Sequence, residues 1–431
     1  MAMPVENSRL RGFFRLSVEE RLDLVSELAN LSEQQRATLL SGGGLDHAAA
    51  EMMVENVIST MSLPVGIATN FIIDGEHFII PYCIEESSVI AAASNMAKRC
   101  QVKGGFQTDV DDSLMIGQIQ ILGVADIDAA MVTVVADKQR IIEICNSQPS
   151  TMVELGGGCK DVRCRKVEDM LVVHILVDCL DAMGANAVNT MAERVAPHIE
   201  GLVNGQARLR IVSNLAIHRL ARATAIFTAE EISHDGSRED GVTVISGILD
   251  AYRFAALDPF RAATHNKGTM NAISAVALAC GQDWRAIEAG CHAWVAFSQG
   301  RYGSITTWEV DESGDLVGSI EVPLAVGTIG GAVRVHPVAK ANLAILGISS
   351  AKRLAAVMVC AGLAQNLAAM RALSTSGIQA GHMSLHVRNM AVSAGALVEE
   401  IDAVAELSRK QQQPLTQKLV DSLLAQHRQD S

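Results

Sequence analysis

With 431 residues, 49% of them apolar, the chain can hold two or three domains and a substantial core, and its formal net charge of −13 with no Lys/Arg cluster disfavours a nucleic-acid partner. No apolar run approaches the roughly 20 uninterrupted residues of a bilayer crossing, residues 354–370 read as a buried helix interrupted by Gly362, Gln365 and Asn366, and no secretory leader is evident, so a cytoplasmic protein without a membrane partner is expected. Nine scattered cysteines argue for reduced thiols, and Cys159 and Cys164 lack a second pair at zinc-ligand spacing, so no metal is expected.

The chain opens with two amphipathic helices, each announced by a capping box: Ser17 with Glu20, and Ser32 with Gln35. After "SGGG" (41–44) comes a strand at "EHFIIPYCI" (76–84), then "EESSVIAAASNMAK", where Ser87 or Ser88 can cap a helix of small residues. Between 112 and 217 the order reads strand, one helix over "DIDAAMVTVVADKQRIIEICNS", two strands around a turn, a second helix from Asn186, and a last strand at "ARLRIVS". That βαββαβ order predicts a compact ferredoxin-like unit, with helices on one face of an antiparallel sheet, inserted into a larger mixed α/β domain. The expected class is therefore α/β (α+β), with residues 1–111 and 218–376 forming the large domain and 112–217 the insertion. A helical carboxyl-terminal segment, 377–431, can move as a unit.

Several short stretches carry chemistry. Glu85 and Glu86 leave an apolar strand together, and because successive strand side chains alternate, only one of them enters a site. A carboxyl beside apolar walls keeps its proton near neutrality, as a general acid requires; the plain alternative is a solvated strand end. In "VDCLDAMGANAVNTMAE", Gly184 and Asn186 sit where a strand turns into a helix, and exposed N–H groups there favour an anion such as a pyrophosphate. It is not a Rossmann fingerprint. "LGGGCKD" and "GTIGGA" are further turns that let a backbone approach a ligand. His382 and His386 lie four apart, but Met383 stands where a zinc protease needs Glu, so a single proton-donating imidazole is the better reading. Lys267 lies among Thr264, His265, Asn266, Thr269 and Asn271; it is either a surface charge or a cation set among hydrogen-bonding groups, with Asp283 a candidate partner.

In combination, "ENVI" (55–58), "EES" (85–87), "LGGGC" (155–159), "DAMGAN" (181–186), "RAATHNKG" (261–268), "GQDWRA" (281–286), "GLAQN" (362–366) and "GHMSLH" (381–386) resemble, in unbroken order, the 3-hydroxy-3-methylglutaryl-CoA reductases, and their soluble class II branch in particular. The resemblance implies a small cofactor-binding domain inserted in a large domain, a carboxyl-terminal flap, and a homodimer with interface active sites. It implies reduction of the thioester by two hydrides, through a hemithioacetal and mevaldehyde, to mevalonate and CoA. Lys267 then stabilises oxyanions, Glu86 protonates the final alkoxide, Asp283 joins their hydrogen-bond network and His382 protonates the departing CoA thiolate. Ser88, Arg261, Thr264, Asn271 and Asn366 fall on substrate-binding positions, and Asp181, Met183, Gly184 and Asn186 on the nicotinamide motif.

Two departures stand out. Ser87 replaces a proline common after the acidic pair. Pro149 stands where some NADH-using members carry an acid, which leaves NADH and NADPH open with a slight lean to NADPH. A Schiff-base lyase using Lys267 as a covalent nucleophile is the alternative enzyme. A nonenzymatic CoA-binding protein is the third reading, and the intact Glu86, Lys267, Asp283 and His382 speak against it. The physiological direction is not legible, because a catalyst accelerates both.

Overall fold

The computed structural model describes residues 5–147, 150–375, 387, 390–409, 411 and 415–430. Among the described residues ten strands form two sheets: β1 (Val65–Ile73), β2 (Glu76–Cys83), β3 (Phe106–Val110), β4 (Leu114–Leu122), β5 (Gly158–Val167), β6 (Met170–Asp178), β7 (Gln206–Ser213), β8 (Leu220–Phe227), β9 (Thr306–Val310) and β10 (Leu316–Pro323). The first sheet has the order β2-β1-β3-β8-β10-β9, and the second has the order β5-β6-β4-β7. The chain thus leaves the larger sheet after β3, builds the smaller one, and returns at β8. This is the mixed α/β class expected from the sequence.

The smaller sheet is antiparallel throughout. Its inner face follows the period-two pleat: Met115, Ile119 and Ile121 of β4 are buried against Val188, Ala192, Val195 and Ile199 of the helix Ala185–Val203. Gly117 shares that face because a Cβ there would lie 2.8 Å from Ile175 and 2.9 Å from Val188. The single helix expected ahead of β5 is instead broken at Asp137 into Ile127–Ala136 and Lys138–Cys145. Asp137 closes one helix and opens the other, and its carboxylate pairs with His198 on the facing helix. The residue at the break thus makes a contact 61 positions away, which local pattern does not show.

The larger core lies between the six-stranded sheet and its helices, with Phe71 stacked on Phe106 and Phe227 beside Trp308. The helix Ala351–Ser374 runs through it. By length and hydropathy this helix could cross a membrane, but 89% of its apolar window is buried inside the protein, as expected for a core helix. Gly362 lets it approach the helix Pro259–Ala279, where an added Cβ would meet Ile273 at 2.8 Å. Both amino-terminal capping boxes form. Near the carboxyl terminus the helices Val398–Arg409 and Gln417–Asp430 bury Val404, Val420, Leu423 and Leu424 together. His382 and His386 lie outside the described residues, as does Pro149.

Candidate active site

Pro259 opens its helix where a missing N–H is harmless, and the Asp258 side chain caps it by accepting from Phe260 N. One stripe of this helix, including Ala262, His265, Asn266, Thr269 and Ile273, is buried. The opposite stripe carries Arg261, Thr264, Lys267 and Asn271, exposed or half-buried at spacings of three and four. Helical periodicity therefore puts four of the expected site residues on one face.

Glu86 reaches that face from the other side, on the turn between β2 and the helix Val89–Arg99. Lys267 Nζ donates to Glu86 Oε2 at 2.9 Å, across 181 positions of sequence, with the two side chains 60% and 39% exposed. The apolar setting expected for Glu86 is not found; an ammonium faces it instead. Ser88 occupies the N-cap position as anticipated, but with φ +71 and without a side-chain capping bond. The left-handed backbone explains this, since a capping side chain normally reaches back from an extended residue. Among the described residues its hydroxyl makes no hydrogen bond, and it lies two residues from Glu86. Arg261 makes no ion pair among the described residues, and partial burial lowers its pKa from the usual arginine value.

Beneath the stripe lies a buried polar network. Trp308 Nε1 can only donate, and it donates to Asn366 Oδ1 at 2.9 Å, which turns Asn366 Nδ2 toward His265 Nε2 and Thr269 Oγ1, both at 3.0 Å. His265 Nε2 must then accept, so the ring is neutral. Burial, with the nearby Arg261 charge, pushes its pKa down to about 3. Asn366, expected to contact substrate, is 1% exposed with both ends of its amide committed; it holds the two helices together.

Asp283 caps the helix Trp284–Gln299, accepting from Ala286 N at 3.1 Å, and pairs with Arg285 at 3.2 Å. The structure does not join it to Lys267 or Glu86. It lies instead on a cleft of about 790 Å³ whose walls include Cys83, Met183, Gly184, Asn186, Leu278 and Asp283. Cys83 and Leu278 belong to the strand leading to Glu86 and the helix bearing Lys267. The cleft therefore shares that strand and that helix with the ion pair, while neither Glu86 nor Lys267 lines it.

The turn "DAMGAN" contributes to the wall of the same cleft. Gly184 has φ +96, and a Cβ there would lie 2.1 Å from Cys179 Sγ, so only glycine fits. It opens the helix Ala185–Val203 with no capping side chain, leaving that N-terminus available to an anionic group. The Asp181 carboxylate points elsewhere, accepting from Ala351 N at 2.8 Å and tying the turn to the core helix. The expected cofactor residues Met183, Gly184 and Asn186 thus line the cleft, while Asp181 anchors them from behind. Among the described residues no group of three or more His, Cys, Asp and Glu side chains could hold a metal ion.

Sequence reasoning missed Arg219 and Gln282. The buried Arg219 guanidinium donates to the backbone carbonyls of Ala182, Met183 and Val326, and Gln282 pairs with both backbone groups of Gly327 behind the same turn. Main-chain acceptors leave no trace in sequence. Only the glycine-rich "GTIGGA" was visible as a signal.

Comparison with known proteins bears on this arrangement. A family profile described as Hydroxymethylglutaryl-coenzyme A reductase matches residues 17–387. A 3-hydroxy-3-methylglutaryl-coenzyme A reductase of Archaeoglobus fulgidus is 54% identical over 93% of this chain and 91% of its own. A probable enzyme of the same name from Borreliella burgdorferi is 33% identical over 78% and 77%. Among solved structures, a Streptococcus pneumoniae 3-hydroxy-3-methylglutaryl-coenzyme A reductase is similar at 36% identity and TM-score 0.82, covering 97% of this chain and 99% of that one. A class II Streptococcus pneumoniae enzyme bound to NADPH in open conformations matches at 38% identity and TM-score 0.82, covering 85% and 99%.

Proposed function

The chain belongs to the hydroxymethylglutaryl-coenzyme A reductase family, and from that premise we infer that it is an NAD(P)H-dependent oxidoreductase converting 3-hydroxy-3-methylglutaryl-CoA to mevalonate and CoA. The observation that carries the reading is the Lys267–Glu86 pair, accompanied by a cleft whose wall includes an uncapped helix N-terminus. A cation for a developing oxyanion, a carboxyl for proton transfer and an anion-binding turn for a pyrophosphate-bearing cofactor suit thioester reduction.

The nicotinamide group, when bound, supplies hydride to the substrate carbonyl, and Met183, Gly184 and Asn186 are the residues that would hold the cofactor. Lys267 stabilises the oxyanion that develops on the former carbonyl, an interaction strongest in the transition state. Glu86, already hydrogen-bonded to that ammonium, returns a proton to the final alkoxide. His382 is the proposed donor to the leaving CoA thiolate. Arg261, Ser88, Thr264 and Asn271 hold the hydroxymethylglutaryl part, the unpaired guanidinium gripping its carboxylate with a planar fork. Asp283 and Asn366 act from the periphery, Asp283 at the cleft wall and Asn366 by fixing the Lys267 helix.

NADPH is the proposed cofactor, supported by Pro149 where some NADH-using members carry an acid and by the NADPH-bound Streptococcus pneumoniae relative. The proposed assembly is a homodimer with the site at its interface. Phe254, Leu257 and Phe260, the last 87% exposed, surround the entry to the Lys267 helix and would be covered there. A cytoplasmic setting, where CoA thioesters and nicotinamide cofactors are held, completes the reading. The lyase alternative is not favoured: a Schiff-base lysine sits among apolar or cationic neighbours, and Lys267 faces a carboxylate. The test is a spectrophotometric assay with hydroxymethylglutaryl-CoA against NADH and NADPH; folded protein that oxidises neither would defeat the assignment.

A further inference from the structure

We propose that Arg219 is the positioning residue of the cofactor turn, and that it tunes nicotinamide-cofactor affinity without touching the substrate. The proposal rests on the functional reading above. Arg219 stands where the chain returns from the smaller sheet to β8, and Leu324 N donates to its carbonyl at 3.1 Å. The side chain is therefore rooted in the larger sheet and reaches across to the smaller one. Nη1 donates to Met183 O at 3.1 Å, and Nη2 donates to Ala182 O at 3.1 Å and to Val326 O. The residue is 3% exposed and makes no ion pair with a carboxylate among the described residues.

Two consequences follow for the turn. In a planar trans peptide the C=O and N–H point in opposite directions, so fixing the Met183 carbonyl toward Arg219 turns the Gly184 N–H away from it. The left-handed Gly184 is thereby held in one orientation at the start of a 19-residue helix. The guanidinium also places a full positive charge behind a helix N-terminus, and in a dry setting that charge adds to the field favouring an anionic ligand. Gln282 and Gly327 brace the turn from the other side, leaving so little room that a Cβ on Gly327 would lie 2.5 Å from Met183 N.

The experiment measures Michaelis constants for cofactor and for hydroxymethylglutaryl-CoA separately, together with direct fluorescence titration of NADPH onto the protein. Arg219→Met should raise the cofactor KM and dissociation constant by about tenfold or more, the loss expected when buried carbonyls lose a charged donor. Its KM for hydroxymethylglutaryl-CoA should stay within about twofold, a difference too small to mark a lost contact. Arg219→Lys, which keeps the charge but not the fork, should fall between, and Gly327→Ala should show the same split with Arg219 intact. If Arg219→Met does not fold, the other two variants decide. Unchanged cofactor affinity in Arg219→Lys and Gly327→Ala, or an equal rise in both KM values, overturns the proposal. A wild-type protein without turnover would defeat the reductase reading instead, and the NADPH titration would still decide the role of Arg219.

Discussion

Lys267 and His265 lie two positions apart on one helix and have opposite fates. Lys267 faces solvent and a carboxylate, and its proposed work is to meet charge that appears only during reaction. Lys267→Ala should therefore lower kcat by about 10²–10³-fold or more, as for removal of an oxyanion donor. NADPH affinity by fluorescence titration should not change, and a variant keeping a tenth or more of kcat would sink the assigned role. His265 is a buried neutral acceptor whose pKa is pushed from its ordinary 6.5 to about 3, burial being the main cause. The unfolded chain thus takes up this proton first as pH falls. The stability involved is complete above about pH 6.5 and is lost progressively toward about pH 3. At pH 5 the loss amounts to about 2 kcal/mol. Urea unfolding at pH 7.5 and pH 5 should show a smaller pH-dependent loss in His265→Gln than in wild type, and equal losses would show that His265 is not the responsible group.

At the scale of elements, the turn from β2 into the helix Val89–Arg99 combines strain with proposed function. Ser88 has φ +71, a conformation costing a residue with a Cβ roughly 1–2 kcal/mol. Its hydroxyl does not recover this by capping the helix. Such strain at a position proposed to face the substrate fits a side chain kept for binding rather than for folding. Ser88→Gly should stabilise the protein by about 1 kcal/mol in chemical denaturation. The same change should raise KM for hydroxymethylglutaryl-CoA by roughly threefold to tenfold, the effect of one lost hydrogen bond. Ser88→Ala separates the two effects, since it loses the hydroxyl and keeps the strain. An unchanged KM in both variants would remove Ser88 from the substrate site.

At the scale of the whole molecule, the exposed Phe254, Leu257 and Phe260 beside the Lys267 stripe argue for a covering partner. Phe260→Glu should raise the dimer dissociation constant in sedimentation by about tenfold or more and lower specific activity at dilute protein. A monodisperse monomer in wild type would refute the interface. The sequence by itself determined the mixed α/β class, both capping boxes and the antiparallel strands of the smaller sheet. Each of these depends on local spacing and residue type, which a single chain displays openly. Tertiary structure alone decided that Glu86 meets Lys267 across 181 positions, that Asn366 turns inward to His265 and Trp308, that the expected long helix breaks at Asp137, and that Arg219 clamps the "DAMGAN" turn. In every such case the partner is distant in sequence or is a backbone carbonyl, and neither leaves a periodic mark for a reader of the sequence to find.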